Sequence, residues 1–294
     1  MIKANLSTKG SCILRIQGVY GFLKAAEKRI ADFILQNTEE VISLTIEELA
    51  EKSSSSYATI NRFCKKVGYS GFKDFKNSLI NDVIKNKGVD DLINSLSLNK
   101  DETTESIAEK IYTLNLKVLE DSYTIMDTAI IDAVVEKILA AKNICFIGAG
   151  ASGISARFAY SKFFRIGIPC FSEADSTLYR MKVSIMNEND ILFAISSSGR
   201  TSNIIEAVRL AKKNNVTVIS LSDFAISPLT KVSDYNLYTT PRNANLFMNI
   251  DMPLIIGQIA IIDVLYSCCC IRLAEKASEF YEKTKASSDA EKIK

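Results

Sequence analysis

Asp190-Ile191-Leu192-Phe193-Ala194-Ile195-Ser196-Ser197-Ser198-Gly199-Arg200-Thr201 is the stretch that decides how this chain folds. Ile191 to Ile195 is an unbroken apolar run of strand length, the pattern of a strand buried on both faces of a parallel sheet. It ends in serines, a glycine and a threonine, and apolar residues then recur at helical spacing through Ile204, Ile205, Val208, Leu210 and Ala211. The predicted order is strand, small hydroxyl-rich turn, helix. A helix N-terminus carries N–H groups without intrahelical partners and a partial positive charge, so hydroxyls and a glycine placed there can surround an anion. A phosphate fits such a cradle best. The simpler reading is a turn in which Ser198 or Thr201 only caps the helix. A cap needs one hydroxyl, whereas Ser196, Ser197, Ser198 and Thr201 all carry one, and the excess favours a ligand.

Upstream, Asn143 to Gly148 is a second buried-strand run, followed by Gly148-Ala149-Gly150-Ala151-Ser152-Gly153 and a helix to about Arg165. This satisfies the G-x-G-x-x-G dinucleotide fingerprint, with Glu173 twenty residues past Gly153 near another strand, so an NAD-binding redox sensor is one alternative. Against it stands the second hydroxyl-rich turn, which a dinucleotide site does not need and a sugar-phosphate site does. Val216 to Leu221 and Asn236 to Thr239 complete four or five strands alternating with helices. That alternation predicts an α/β domain with a parallel, doubly wound sheet and ligands off the carboxyl ends of its strands. Gly150, Ala151 and Ser152 fall at one such end and Ser196 to Thr201 at another.

The N-terminal part reads differently. An amphipathic helix runs from Lys24 to Asn37, and Thr45 with Glu48 forms a capping box that opens a short helix to about Lys52. Ser53, Ser54 and Ser55 make a turn, and Ser56 is placed to cap a helix from Tyr57 to Val67. That helix buries Ile60, Phe63, Cys64 and Val67 and leaves Tyr57, Asn61, Arg62, Lys65 and Lys66 outward. Two short helices joined by a three-residue turn, the second basic on its free side, is the helix-turn-helix pattern. Such a surface suits phosphodiester contacts, with Asn61 and Arg62 able to read base edges. A solvated face on a small helical bundle is the plain alternative.

The wording Thr45-Ile-Glu-Glu-Leu-Ala-Glu-Lys followed by Ala58-Thr-Ile-Asn-Arg-Phe-Cys-Lys-Lys-Val-Gly-Tyr-Ser-Gly-Phe-Lys-Asp-Phe-Lys closely resembles the DNA-binding domain of RpiR family bacterial regulators, over roughly Gln17 to Lys87. The chain departs where that family has Ala-Gly-Val in the turn and Pro after the capping serine; Ser53-Ser54-Ser55 and Tyr57 stand there. Residues from about Ile131 to Asp263 look like a SIS (sugar isomerase) domain, whose members bind phosphosugars. The resemblance implies phosphate binding by Ser196, Ser198 and Thr201, the family's Ser-x-Ser-Gly-x-Thr, and by Ser152 of the first glycine-rich turn. Arg200 occupies a position that often carries Glu in the enzymatic relatives. Those relatives commonly open the sugar ring with a histidine, and this chain has none.

Composition bounds the rest. Residues 1 to 87 carry 14 Lys+Arg against 9 Asp+Glu and residues 88 to 294 carry 22 against 25, so a basic first part precedes a mildly acidic second. The lack of histidine removes the commonest general base and metal ligand. Seven cysteines without a C-x-x-C pair read as small core residues of a reducing cytosol. Met252 to Leu273 approaches membrane-span length but contains Pro253, Gln258, Asp263 and Ser267, so a buried or dimer-forming helix is predicted and no membrane partner.

The expected organisation is an all-α helix-turn-helix domain (1–87), a linker and connecting helix (88–126), an α/β SIS-like domain (127–275) and a polar, partly helical, frayed tail (276–294). The expected function is a cytoplasmic transcriptional regulator with no catalytic residues, metal or cofactor. It binds double-stranded operator DNA through Ser56, Tyr57, Thr59, Asn61, Arg62, Lys65 and Lys66. A phosphorylated sugar effector lies among Gly150, Ala151, Ser152, Glu173, Ser196, Ser197, Ser198 and Thr201. One reading helix covers a half-site, so a homodimer or homotetramer is expected. A phosphosugar isomerase or lyase working through a carboxylate such as Glu173 is the alternative from another class.

Overall fold

The computed structural model describes residues 11–86, 102–240, 243–247, 250–253 and 255–290. Most of the connection read between Gly88 and Glu105 lies outside the described residues. The N-terminal helices are α1 (Cys12–Val19), with a single 3-10 turn at Tyr20–Phe22, then α2 (Ala25–Gln36), α3 (Thr38–Val41), α4 (Ile46–Lys52), α5 (Tyr57–Lys66) and α6 (Phe72–Asn86). They enclose one apolar cluster in which Ile30, Ile34, Leu49, Ile60, Phe63, Phe75 and Leu79 are wholly buried. Each such side chain contributes about 1.5–3 kcal/mol on leaving water. Gly68 stops α5 in a left-handed conformation (φ +95°). Helix α1 escapes the sequence reading because it has no polar face to give it a period. Cys12, Ile16 and Val19 enter the N-terminal core while Leu14 points the other way, onto Ile125 and Phe224.

Helix α7 (Thr104–Ile125) leads into the second domain and α8 (Thr128–Ala140) follows. Strands β1 (Ile144–Gly148), β2 (Cys170–Glu173), β3 (Ile191–Ile195), β4 (Thr217–Asp223) and β5 (Tyr235–Thr239) form one sheet in the order β2-β1-β3-β4-β5, every pair parallel. From β1 the chain winds outward to β2 and then returns to the other side as β3, so the order reverses between β1 and β3. A doubly wound sheet binds ligands at such a crevice. Alternate residues feed opposite faces. Ile144, Phe146 and Phe193 join a core roofed by α8, by α9 (Ala151–Arg165) and by α13 (Ile256–Leu273). Cys145, Leu192 and Ala194 face α10 (Ser176–Ser184) and α11 (Ser202–Lys213). The short α12 (Pro228–Val232) follows β4.

Two departures from expectation concern the C-terminal part, and the apolar helix between them is buried as expected. Strands β6 (Asn243–Phe247) and β7 (Ile250–Pro253) pair antiparallel, so Met252 and Pro253 belong to a hairpin and the apolar helix starts at Ile256. That helix, α13, is long and apolar enough by length and composition to cross a membrane, yet Ile261, Ile262, Leu265 and Cys269 lie in the core against the sheet. The polar tail, as far as Ala290, is helical and not frayed. It forms α14 (Glu275–Asp289), which turns back at Ala274 (φ +47°) and docks on α9. Arg165 stacks over Tyr281 at 4.5 Å, and the Phe280 ring fills the space where a β-carbon on Gly167 would stand, 2.4 Å away. A polar composition hid one anchoring aromatic. Burial pushes the Cys64, Cys145 and Cys269 thiols up to about 12, so they pack as small apolar groups.

Candidate functional site

Gly148 pairs with Ile195 in the β1–β3 ladder, so the two hydroxyl-bearing turns leave the sheet side by side and at one level. Gly148 is dictated by the tightness of its turn, since a β-carbon there would stand 2.4 Å from the Ser152 carbonyl oxygen. Both helices that follow lack a side-chain cap, Gly150 (φ +56°) preceding α9 and Thr201 preceding α11. The other two helices along this edge are capped. Asp175 accepts from Thr177 and Leu178 N–H at the start of α10, and Ser227 accepts from Thr230 N–H at the start of α12. The orphan N–H groups of α9 and α11 are therefore left for something other than a cap.

The hydroxyls around these tips are graded in exposure. Ser152 and Ser196 are buried, Ser197 and Thr201 are half-buried, and Ser198 is exposed. Ser196 Oγ and Thr201 Oγ1 share a hydrogen at 3.1 Å, and Ser198 Oγ accepts from Arg200 N–H at 3.2 Å. Gly199 (φ +59°) turns the chain back where Ser227 leaves no space for a side chain.

Gln258, in the first turn of α13 and 1% exposed, joins the two turns. Its Nε2 donates to Ser197 Oγ at 2.9 Å and reaches Ser152 Oγ at 3.5 Å, while its Oε1 accepts from Ser155 Oγ at 2.7 Å. The sequence reading missed its role. The signal was a glutamine near the start of an apolar helix, which must find partners once buried.

Glu173 stands at the tip of β2 but its carboxylate is committed elsewhere. Oε1 accepts from the Ala174 and Asp175 amides at 3.0 and 3.3 Å, and Oε2 lies 3.8 Å from Lys182. Among the described residues it makes no hydrogen bond to the hydroxyl turns, although it pairs with Ile147, one residue before Gly148. A second carboxylate belongs to a residue bonded to the β3 turn. Asp223, at the end of β4, donates its N–H to the Ser197 carbonyl at 2.9 Å, and burial pushes its carboxyl up to about 7 despite an opposing hydrogen bond from Thr239.

In the N-terminal domain, α4 and α5 pack at the predicted turn. Ser56 Oγ accepts from Thr59 N–H at 3.3 Å, capping α5. Tyr57 is 58% exposed, and Arg62 and Lys65 are also exposed. Three other predicted contact residues have side chains bonded within the domain, although Lys66 is itself exposed. Thr59 is buried, its hydroxyl shared with Ser56 Oγ and accepting from Arg62 Nη2, so it serves the cap. The Lys66 ammonium donates to Glu27 at 2.7 Å and to the Phe22 carbonyl at 2.8 Å, tying α5 to its own domain. Burial pushes the Glu27 carboxyl up, but Lys66 and the Lys24 amide outweigh it and hold the group below its ordinary value. Asn61 is half-buried and accepts from Phe72 N–H at 3.4 Å. In the turn itself, Ser54 takes the left-handed conformation (φ +48°) that glycine adopts more readily.

The description "Helix-turn-helix domain, rpiR family" matches residues 11–86, and "SIS domain" matches residues 137–263. A Bacillus subtilis HTH-type transcriptional regulator, YbbH, is 31% identical over 291 residues, covering 98% of this chain and all of that protein. The HTH-type transcriptional regulator HexR of Pseudomonas aeruginosa is 30% identical, covering 85% of this chain and 86% of its own. Among solved structures, the Vibrio vulnificus NanR protein complexed with ManNAc-6P superposes with a TM-score of 0.59 at 25% identity, covering 97% of this chain and all of that one.

Proposed function

The chain belongs to the rpiR family of helix-turn-helix transcriptional regulators with a SIS domain, and from that premise we propose that a phosphosugar held between the β1 and β3 tips sets the affinity of α5 for operator DNA. The observation that carries this reading is the pair of uncapped helix N-termini at adjacent strand tips, ringed by Ser152, Ser196, Ser197, Ser198 and Thr201 and joined through Gln258. The phosphate group takes the N–H groups of α9 and α11, and the hydroxyls turn toward it. That NanR is complexed with ManNAc-6P supports a phosphorylated sugar as the ligand class.

The protein binds its sugar without transforming it. No histidine exists to open a ring, and the Glu173 carboxylate is engaged by its own backbone and by Lys182. The NAD alternative is disfavoured, because the strand order here reverses between β1 and β3 in the flavodoxin-like manner, not the dinucleotide-binding one. On DNA, Tyr57, Arg62 and Lys65 contact the groove and its phosphates, with Ser56 at the entering helix N-terminus. Because one α5 reads a half-site, the working form is a homodimer or homotetramer, acting in the cytoplasm.

The test is a thermal-shift screen of the full chain against hexose and amino-sugar phosphates, including ManNAc-6P, with NADH alongside. A ligand at a hundred times its dissociation constant stabilises by about 2.7 kcal/mol. A shift with a phosphosugar that is recovered unchanged supports a binding regulator. Turnover of the sugar, or a shift with NADH alone, overturns the reading.

A further inference from the structure

Three parts of the molecule meet at Phe224, just past β4. Its ring is wholly buried against Leu14 of α1 and Ile125 of α7, and meets Tyr238 edge-on at 5.3 Å. Beside it, Ile226 N–H donates to the Gly18 carbonyl at 3.2 Å, one of the carbonyls at the end of α1. Lys231 of α12 lies over the Phe22 ring at 4.5 Å.

This junction explains a residue that the helix does not want. Glycine inside a helix costs about 0.5–1 kcal/mol relative to alanine, and α1 has only eight residues. A β-carbon on Gly18, however, would stand 2.9 Å from the Phe224 carbonyl oxygen and 3.2 Å from its ring. A weaker helix is thus the condition for close approach of the loop.

The same loop is fastened to the cradle at both ends. Asp223 N–H donates to the Ser197 carbonyl at 2.9 Å, and Leu229 N–H donates to the Gly199 carbonyl at 3.1 Å. Between them, Ser227 occupies the space beside Gly199 that a side chain would fill. Arg200, from the cradle's own turn, reaches within 3.4 Å of the β-carbon position of Gly21 in the N-terminal domain.

We propose that the segment Asp223–Leu229 is the relay through which an anion in the cradle is felt by the DNA-binding domain, an occupied cradle loosening the segment's grip on α1. The relay rests on the phosphosugar reading of the cradle. In the structure as it stands, Ser196 bonds to Thr201, Ser198 to the Arg200 amide and Ser197 to Gln258. An arriving phosphate competes for those hydroxyls and draws the Arg200 charge away from Gly21. Any movement of the Ser197 and Gly199 carbonyls then displaces both ends of the relay. Coupling is reciprocal, so releasing the relay from α1 must favour the anion.

Gly18→Ala isolates the junction. It improves the helix propensity of α1, touches no cradle residue and forces the Phe224 carbonyl away. Lys231→Ala is a milder variant outside the buried cluster. The full chain is titrated with ManNAc-6P and, separately, with inorganic phosphate, and its affinity for a duplex selected from a random pool is followed with each. In the natural chain the probe weakens DNA binding. Gly18→Ala is expected to bind the probe about five-fold tighter or more, with DNA affinity that no longer responds, and Lys231→Ala to shift the same way by less. A folded Gly18→Ala protein with unchanged probe affinity and an intact DNA response overturns the relay alone. If neither probe binds the natural chain, the phosphate reading of the cradle falls, and the relay with it.

Discussion

Two serine-rich turns, Ser53 to Ser56 and Ser196 to Thr201, each lead into a helix, and they spend their hydroxyls in opposite ways. In the first, Ser53 Oγ donates to the Leu49 carbonyl at 2.6 Å and shares a hydrogen with Ser55, while Ser56 caps α5. That turn is self-satisfied and fixes the angle at which α5 is presented. In the second, Thr201 supplies no cap to α11, and the hydroxyls bond to one another, to Gln258 or to the Arg200 amide. Both turns contain a left-handed residue, Ser54 in one and Gly199 in the other. The lesson is that a serine run declares its role through the state of the helix it precedes, and not through its own composition.

The contrast can be broken in several places. The largest expected effect belongs to Asp223, whose N–H supports the second turn. Its carboxyl stays protonated in the folded chain up to about pH 7, while the unfolded chain ionises it near 3.8. The group is therefore neutral to stability below pH 4, destabilises progressively between pH 4 and 7, and costs up to about 4 kcal/mol above that. Asp223→Asn should flatten this pH dependence in urea melts and leave the variant more stable at pH 8. An unchanged slope would place the titration elsewhere.

Next comes Gly199→Ala. The left-handed backbone and the overlap with Ser227 together should cost about 3 kcal/mol, read as a lowered unfolding midpoint, with loss of phosphosugar binding. A third pair of substitutions opposes the two turns directly. Ser56→Ala removes a cap and should cost about 1 kcal/mol. Ser198→Ala should change stability by less than about 0.5 kcal/mol yet abolish the effector response in gel-shift titrations. Equal stability losses in the two would erase the distinction drawn here. The smallest effect is Ser54→Gly, which relieves a left-handed serine and should add up to about 1 kcal/mol. Destabilisation there would mean that the Ser54 side chain contributes more than its backbone strain removes.

Much of this was legible in the sequence because local signals agreed with the fold. Capping residues Thr45 and Ser56, the apolar strand of Ile191 to Ile195 and the glycines of both tip turns each act within a few residues of themselves, and the helices, strands and tip turns formed where they pointed. What stayed hidden depends on partners distant in the chain. Gln258 gains meaning only when α13 crosses the two tips, and the Lys66 ammonium is tied down by Glu27, thirty-nine residues away. Thr59 was expected at the DNA with its neighbours on α5, but its hydroxyl lies within reach of Ser56 on the same turn. The hairpin of β6 and β7 takes Met252 and Pro253, the first residues of the stretch that reads as helix.

The final helix carries a practical lesson about where this protein ends as a folding unit. Phe280 is the stopper for a hole that Gly167 leaves beside α9, and Thr284 leans on the Arg165 carbonyl one turn further along. Cutting the chain after Leu273 would take Phe280 from Gly167 and Tyr281 from Arg165 and uncover the C-terminal turn of α9, the helix whose other end lies at the proposed sugar cradle. Shortened versions of the ligand-binding half should therefore run past Thr284, however dispensable its polar letters look.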